Sequence, residues 1–178
     1  TLNEENNLQR CLESCVSLAD EIVVLDSGSI DGTEAVAREF GVRWAVREWP
    51  GYVQQKNNVI QMASHDWVLS LDADEAISPN LTKVLKRLKQ EEAMEVGGYS
   101  MTRCVYYEGR WIRHGDWYPD RLVRLFRHEG ARFAGGRVHE RDRLGHCLRR
   151  IARHHRPVGA AAKSHGPLLS LERERGRV

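Results

Sequence analysis

Three acids fall within four residues at Asp72-Ala73-Asp74-Glu75, directly after the apolar run Trp67–Leu71. That run reads as a short strand buried on both faces, so the acids sit at its carboxyl end, the side on which open α/β sheets bind ligands. Side chains alternate along a strand, which predicts that Asp72 and Asp74 point the same way. Two carboxylates so close repel unless a cation lies between them. Hard oxygen donors suit Mg²⁺ or Mn²⁺, ions that keep positions open for water and substrate phosphates. The competing reading is an acidic loop capping the helix that starts at Ser78-Pro79.

The elements that must position these acids can be read in chain order. Asn3, Glu4 and Glu5 make a helix start, with Asn3 as the expected cap, and Leu8, Cys11, Leu12 and Cys15 form an apolar stripe at helical spacing. Glu21-Ile22-Val23-Val24-Leu25-Asp26 reads as a second buried strand ending in an acid. The small-residue loop Ser27–Thr33 then leads into a helix to Phe40, and Gly41 closes it. A third strand over 42–46, a helix carrying Val53, Asn57, Ile60 and Ala63, the acid-ended strand, and a helix from Pro79 to Glu92 complete the series. This strand–helix alternation implies parallel strands joined by right-handed crossovers. From Tyr99 the pattern changes to a long alternating strand, an aromatic loop from Trp111 to Pro119, and short strands over 121–127 and 131–133.

With 41% hydrophobic and 29% charged residues, the 178-residue chain is an ordinary globular domain, neither disordered nor membrane-spanning. No apolar run approaches the roughly 20 residues a spanning helix needs. Without a signal peptide, the expected setting is cytoplasmic, with peripheral attachment at a membrane face left open. Cys11, Cys15, Cys104 and Cys147 lack the paired spacing of a structural zinc site and are expected as reduced thiols. The net charge of +2 divides unevenly, +7 over residues 141–178 and −5 over residues 1–140. Residues 146–178 are expected as a basic tail, poorly ordered or partly helical, behind a domain spanning 1–145.

Four segments, in order, carry a family likeness: Thr1-Leu2-Asn3-Glu4-Glu5, Asp26-Ser27-Gly28-Ser29-Ile30-Asp31-Gly32-Thr33, Gln55-Lys56-Asn57 and Leu71-Asp72-Ala73-Asp74-Glu75. Over residues 1–145 the chain resembles the family-two inverting glycosyltransferases. The segments 109–120, 124–127 and Arg137-Val138-His139-Glu140 are similar to the lipopolysaccharide core glucosyltransferases of Gram-negative bacteria. The resemblance implies an α/β, Rossmann-like nucleotide-sugar-binding fold of the GT-A type, a mostly parallel sheet with helices on both faces, whose first strand would precede Thr1. It further implies a UDP-sugar donor, UDP-glucose, and a lipopolysaccharide or glycolipid acceptor.

A departing nucleoside diphosphate is charged, so the main task is neutralisation as the glycosidic bond breaks. Asp74 is the expected direct ligand of Mg²⁺ or Mn²⁺, and by family analogy Asp72 faces the ribose or the metal's water shell. The resemblance assigns Asp26 to the uracil ring, against the plainer reading of a cap for its own loop. Thr1, Glu4 and Ser27 would line the nucleotide pocket, and Lys56 would offset diphosphate charge unless it is a solvated helix-face lysine. Inversion needs one general base for the acceptor hydroxyl and no covalent intermediate. Glu140 is the expected base, late in the domain where the family's catalytic acid lies, followed by Asp116 and then Asp120. His139 would complete the metal shell. Trp111, Trp117 and Tyr118 suit sugar stacking as well as core packing, and Arg121, Arg124 and Arg127 suit phosphate contact as well as a solvated edge.

Two other classes were weighed. A nucleotidyltransferase shares the sheet and the acids, but its first loop is usually basic, and here it is acidic. A nucleic-acid-binding module would use the basic tail, yet Asp26, Asp31, Asp72, Asp74 and Glu75 repel phosphate, so no nucleic-acid partner is expected. An inactive remnant of the transferase fold is the third reading.

Overall fold

The computed structural model describes residues 1–90 and 96–134 and the backbone of residues 170–174. Along the chain run α1 (Glu5–Cys15), β1 (Val23–Asp26), α2 (Thr33–Glu39), β2 (Arg43–Val46), α3 (Tyr52–Met62), β3 (Trp67–Leu69), β4 (Glu75–Ile77), α4 (Pro79–Gln90), β5 (Gly98–Tyr107), β6 (Arg110–Ile112), β7 (Asp120–Arg127) and β8 (Ser170–Glu174). A turn of 3-10 helix at Gly115–Trp117 lies between β6 and β7.

The α/β architecture expected of a nucleotide-sugar-binding domain is present, but the sheet is mixed, not mostly parallel. β1 and β2 pair in parallel, as the alternation of strands and helices predicts. The second sheet has the order β3-β7-β5-β8-β4, with β6 on β5, and its pairings are antiparallel except for β5 with β8. The difference arises because β7, from the second half of the chain, inserts between β3 and β5 instead of continuing the crossover series. Strand β8 falls inside the stretch expected as a tail. Its ladder partners are remote in sequence, so no local pattern announces it.

Helices do cover both faces, and the register shows how. Val68 stands opposite Phe126, and Leu69 opposite Leu125, on the β3–β7 ladder. Leu69 and Leu125 pack against Cys15 of α1 and Leu81 and Leu85 of α4. Val68 and Phe126, one residue along each strand, pack against Ile60 and Val53 of α3 on the opposite side. A third cluster joins Leu8 and Leu12 of α1, Val24 of β1 and Ala37 of α2. The apolar stripe read along the first helix is therefore divided between two cores. Its cap is Glu4, not Asn3, whose backbone turns left-handed at φ 51 and whose side chain serves the neighbouring loop.

Two details of β7 and β3 place the acids. Strand β3 ends at Leu69, so Asp72, Ala73 and Asp74 lie in a turn between β3 and β4, and strand alternation does not govern their directions. The turn closes with Glu75 N–H donating to Asp72 C=O at 3.0 Å. On β7 the register against β5 slips: Tyr99 pairs with Leu125, but Ser100 pairs with Val123, which leaves Arg124 in a bulge.

Candidate functional site

The loop after β1 is held by its own carboxylates. Asp26, 1% exposed, accepts from the Gly28 and Ser29 N–H groups and from Ser29 Oγ at 2.8, 2.7 and 2.6 Å. Gly28 has φ +95, a left-handed conformation that turns its N–H back towards Asp26 without a Cβ penalty. Asp31 accepts from the Glu5 N–H and from both the N–H and hydroxyl of Thr33, and these bonds, the hydroxyl's foremost, hold its carboxyl below the usual range. Asn3 completes the clasp, its Oδ1 accepting from Ile30 N–H at 3.0 Å.

Thr1 runs beside the end of β1, donating to Leu25 C=O and accepting from Ser27 N–H at 2.8 and 2.9 Å. Glu4 N–H donates to Thr33 Oγ1 at 2.8 Å, and its carboxylate accepts from Asn7 at the same distance. Ser27 Oγ accepts from the buried Gln55 side chain at 3.1 Å, and the same amide reaches Leu25 C=O at 3.3 Å. Gln55 thus fastens α3 to the end of β1, the structural content of the Gln55-Lys56-Asn57 segment. Thr1, Glu4, Gln55 and Lys56 face a cleft that Asp72 and Asp74 also line. Asp26, buried and engaged with its loop, is not among the residues that line the cleft, so the capping role is the one its geometry displays.

The turn after β3 is held differently, by cations drawn from distant elements. Lys56 Nζ stands 3.3 Å from Asp72 Oδ1 and 5.1 Å from the Phe133 ring centre; it points into the site, not into solvent. Arg124, 3% exposed, places Nη2 3.1 Å from Asp72 Oδ2 and 2.5 Å from Glu75 Oε1. Glu75 is fully buried, and its second oxygen accepts from Asp72 N–H at 3.2 Å. Burial pushes its carboxyl up, against the pull of the Arg124 guanidinium. Arg103 lies 3.6 Å from Glu75 and 2.6 Å from Asp120, extending the chain of charges to β5 and the start of β7. Below the turn, Arg10 donates to Asp74 C=O at 3.2 Å and the Cys11 thiol, pushed up chiefly by burial, contacts Asp72 C=O at 3.7 Å.

The far wall of the cleft carries Asp116, Trp117, Asp120 and Arg121. Asp116 is exposed in the 3-10 turn, whereas Asp120 is committed to Arg103. Trp117 is 46% exposed with its ring 5.7 Å from Tyr107, while Trp111 packs on Tyr106 at 5.0 Å and serves the β5–β6 hairpin. Arg127, exposed, stacks over Trp67 at 4.7 Å, and Arg124 is spent on Glu75 and Asp72; Arg121 is exposed at the cleft. Glu140 and His139 lie outside the described residues. The chain leading to them is anchored by Asn57, which both donates to Phe133 C=O at 3.0 Å and accepts from Phe133 N–H at 2.7 Å.

The sequence offers Arg124 as a phosphate contact or a solvated edge and Glu75 as one of several acids that repel phosphate, with no pairing between them and no site role for Arg103. The one available signal was Glu75 itself, a third acid too near the pair to stay buried without a cation. Among the described residues no three His, Cys, Asp or Glu side chains form a metal cluster. A Mg²⁺-like ion needs only one or two carboxylates when substrate phosphates and water supply the remaining oxygens, and the Asp72–Asp74 turn on the cleft wall fits that donor set.

An uncharacterised glycosyltransferase of Rickettsia conorii is 40% identical over 142 residues, 75% of this chain and 48% of that protein. The lipopolysaccharide core biosynthesis glycosyltransferase LpsC of Rhizobium meliloti is 33% identical over 145 residues, 78% of this chain and 53% of that protein. The chain thus spans about half the length of the curated relatives it matches. Among solved structures, glucosyl-3-phosphoglycerate synthase of Mycobacterium tuberculosis, in complex with Mn²⁺, UDP and its product, aligns with TM-score 0.46 and 27% identity over 60% of this chain and 42% of that one. The family model for glycosyl transferase family 2 matches residues 1–155, and the chain belongs to that family.

Proposed function

We propose that the chain is the catalytic domain of an inverting glycosyltransferase that takes glucose from UDP-glucose, with Mg²⁺ or Mn²⁺, and transfers it to a lipopolysaccharide core or related glycolipid acceptor. The observation that carries this reading is that Thr1, Glu4, Lys56, Asp72 and Asp74, suited to a charged nucleotide, line one cleft with Asp116, Trp117 and Arg121, suited to a sugar. Likeness to LpsC supports the choice of acceptor class. The Mn²⁺ and UDP-glucose bound by the mycobacterial synthase suggest which donor and ion to test first.

In this mechanism the Asp74 carboxylate, with Asp72 beside it, would hold the divalent ion, which when bound neutralises the diphosphate as it departs. Lys56, paired with Asp72 at 3.3 Å, adds positive charge beside the same turn. Asp72, braced on both oxygens, is oriented to accept from a ribose hydroxyl. The acceptor hydroxyl gives its proton to Glu140, with Asp116 next in line, as it attacks the anomeric carbon from the face opposite the diphosphate. His139 would join the metal shell, and Asp26, with three of its carboxylate's acceptor sites taken by its loop, would accept from the uracil with the one that remains. Trp117 offers a flat apolar face for an acceptor ring. No helix among the described residues is long and apolar enough to cross a membrane, and we place the protein at the cytoplasmic face of the inner membrane, by peripheral contact, because its proposed acceptor is a glycolipid.

Thermal unfolding tests the donor assignment, since a ligand bound only to the folded state raises the midpoint. UDP-glucose with Mn²⁺ is expected to raise the Tm and GDP-mannose with Mn²⁺ to leave it unchanged. Equal shifts would remove the uridine assignment, and no shift with either would remove the sugar-nucleotide reading.

A further inference from the structure

We infer that Arg124 is a positioning residue for the sugar-nucleotide site, turned inward by the β7 bulge so that it braces Asp72 in the orientation in which that carboxylate meets the donor. This rests on the reading given under Proposed function. A regular β7 would have continued the register set by Leu125, but the slip between Tyr99 and Ser100 inserts Arg124 as an extra residue and re-aims its side chain. One nitrogen, Nη2, then serves two acids, Glu75 at 2.5 Å and Asp72 at 3.1 Å. The brace reaches the backbone as well, because Glu75 Oε2 accepts from Asp72 N–H at 3.2 Å. Both ends of Asp72 are therefore referred to the same guanidinium.

A purely structural ion pair would need only Glu75, which is wholly buried. Asp72 is different, because its side chain is 29% exposed and stands on the cleft wall. With Lys56 on Oδ1 and Arg124 on Oδ2, the carboxylate has both its orientation and its charge fixed before any ligand arrives. Arg103, 3.6 Å from Glu75, is a second and more distant cation on the buried acid.

Removing Arg124 alone strands a buried carboxylate, so the test pairs Arg124→Met with Glu75→Gln, which keeps the buried site neutral. UDP is titrated by calorimetry with Mn²⁺ into the wild-type chain, the double variant, Asp72→Asn, and the triple variant. Residues that act through one another are non-additive: the double variant and Asp72→Asn are each expected to weaken UDP ~10-fold, and the triple variant also only ~10-fold. A ~100-fold loss in the triple variant, the product expected of independent effects, would overturn the inference, as would a double variant that binds like wild type. Should the double variant fail to fold by circular dichroism, Arg124→Lys with and without Asp72→Asn is measured in its place. Lysine lacks the rigid planar guanidinium that holds Nη2 between both acids, so a loss on its own that vanishes in the Asp72→Asn background is expected, and a loss that persists there would overturn the inference. If wild type itself binds no UDP, the sugar-nucleotide reading fails first, a result distinct from any of these.

Discussion

Two acidic loops follow strands in this domain, and they stabilise their carboxylates in opposite ways. After β1, Asp26 and Asp31 are satisfied by N–H and hydroxyl groups from residues 28, 29 and 33 and from the adjoining start of α1. After β3, Asp72 and Glu75 are satisfied by Lys56 from α3 and by Arg124 and Arg103 from the second half of the chain. The first loop is a self-contained turn that needs no cation. The second exists in its observed form only once β5 and β7 have docked, so its charge state reports the assembly of the whole domain.

This contrast predicts unequal consequences of breaking each loop. Arg124→Met leaves Glu75 buried without its nearest cation and is expected to cost about 3–5 kcal/mol of stability, measured by urea denaturation, with most of the loss recovered in the double variant with Glu75→Gln. A single variant as stable as wild type would mean that Arg103 alone compensates Glu75. Asp26→Ala removes acceptors from two loop N–H groups and should cost about 2 kcal/mol, with faster amide exchange confined to residues near 27–33. Exchange that spreads to β3 or β4 would show that the two loops are coupled. The smallest effect belongs to Glu34, whose 2.5 Å pair with Arg38 lies on the exposed face of α2 and which holds neither loop. Glu34→Ala is expected to change stability by about 0.5 kcal/mol or less in the same urea series.

The same contrast separates what the sequence made legible from what it did not. The helices around the site were readable because their signals are local: the stripe from Leu8 to Cys15, the Ser78-Pro79 start, and Gly41 after α2. The β1 loop was readable for the same reason, and its acid-plus-small-residue composition already raised the capping role of Asp26. The direction of most strands was not, because β7 chooses β3 and β5 as neighbours through contacts that span much of the chain. A strand two residues shorter than its apolar run removed the alternation argument for Asp72 and Asp74, although both still reach the cleft. Arg124 was hidden most thoroughly: alternation along β7 puts it on the face of Phe126, opposite Arg121 and Arg127, and only the slipped pairing with β5, invisible in one sequence, accounts for its place beside Glu75 and Asp72.

On the function proposed above, the Asp72–Asp74 turn shares a divalent ion with a uridine diphosphate. Calorimetric titration of UDP into the wild-type chain with and without Mn²⁺, repeated on Asp74→Ala, tests it most directly. Binding that requires Mn²⁺ in wild type and is lost in Asp74→Ala is the predicted result. Equal UDP affinity with and without Mn²⁺, or an Asp74→Ala chain that binds as wild type does, would contradict it.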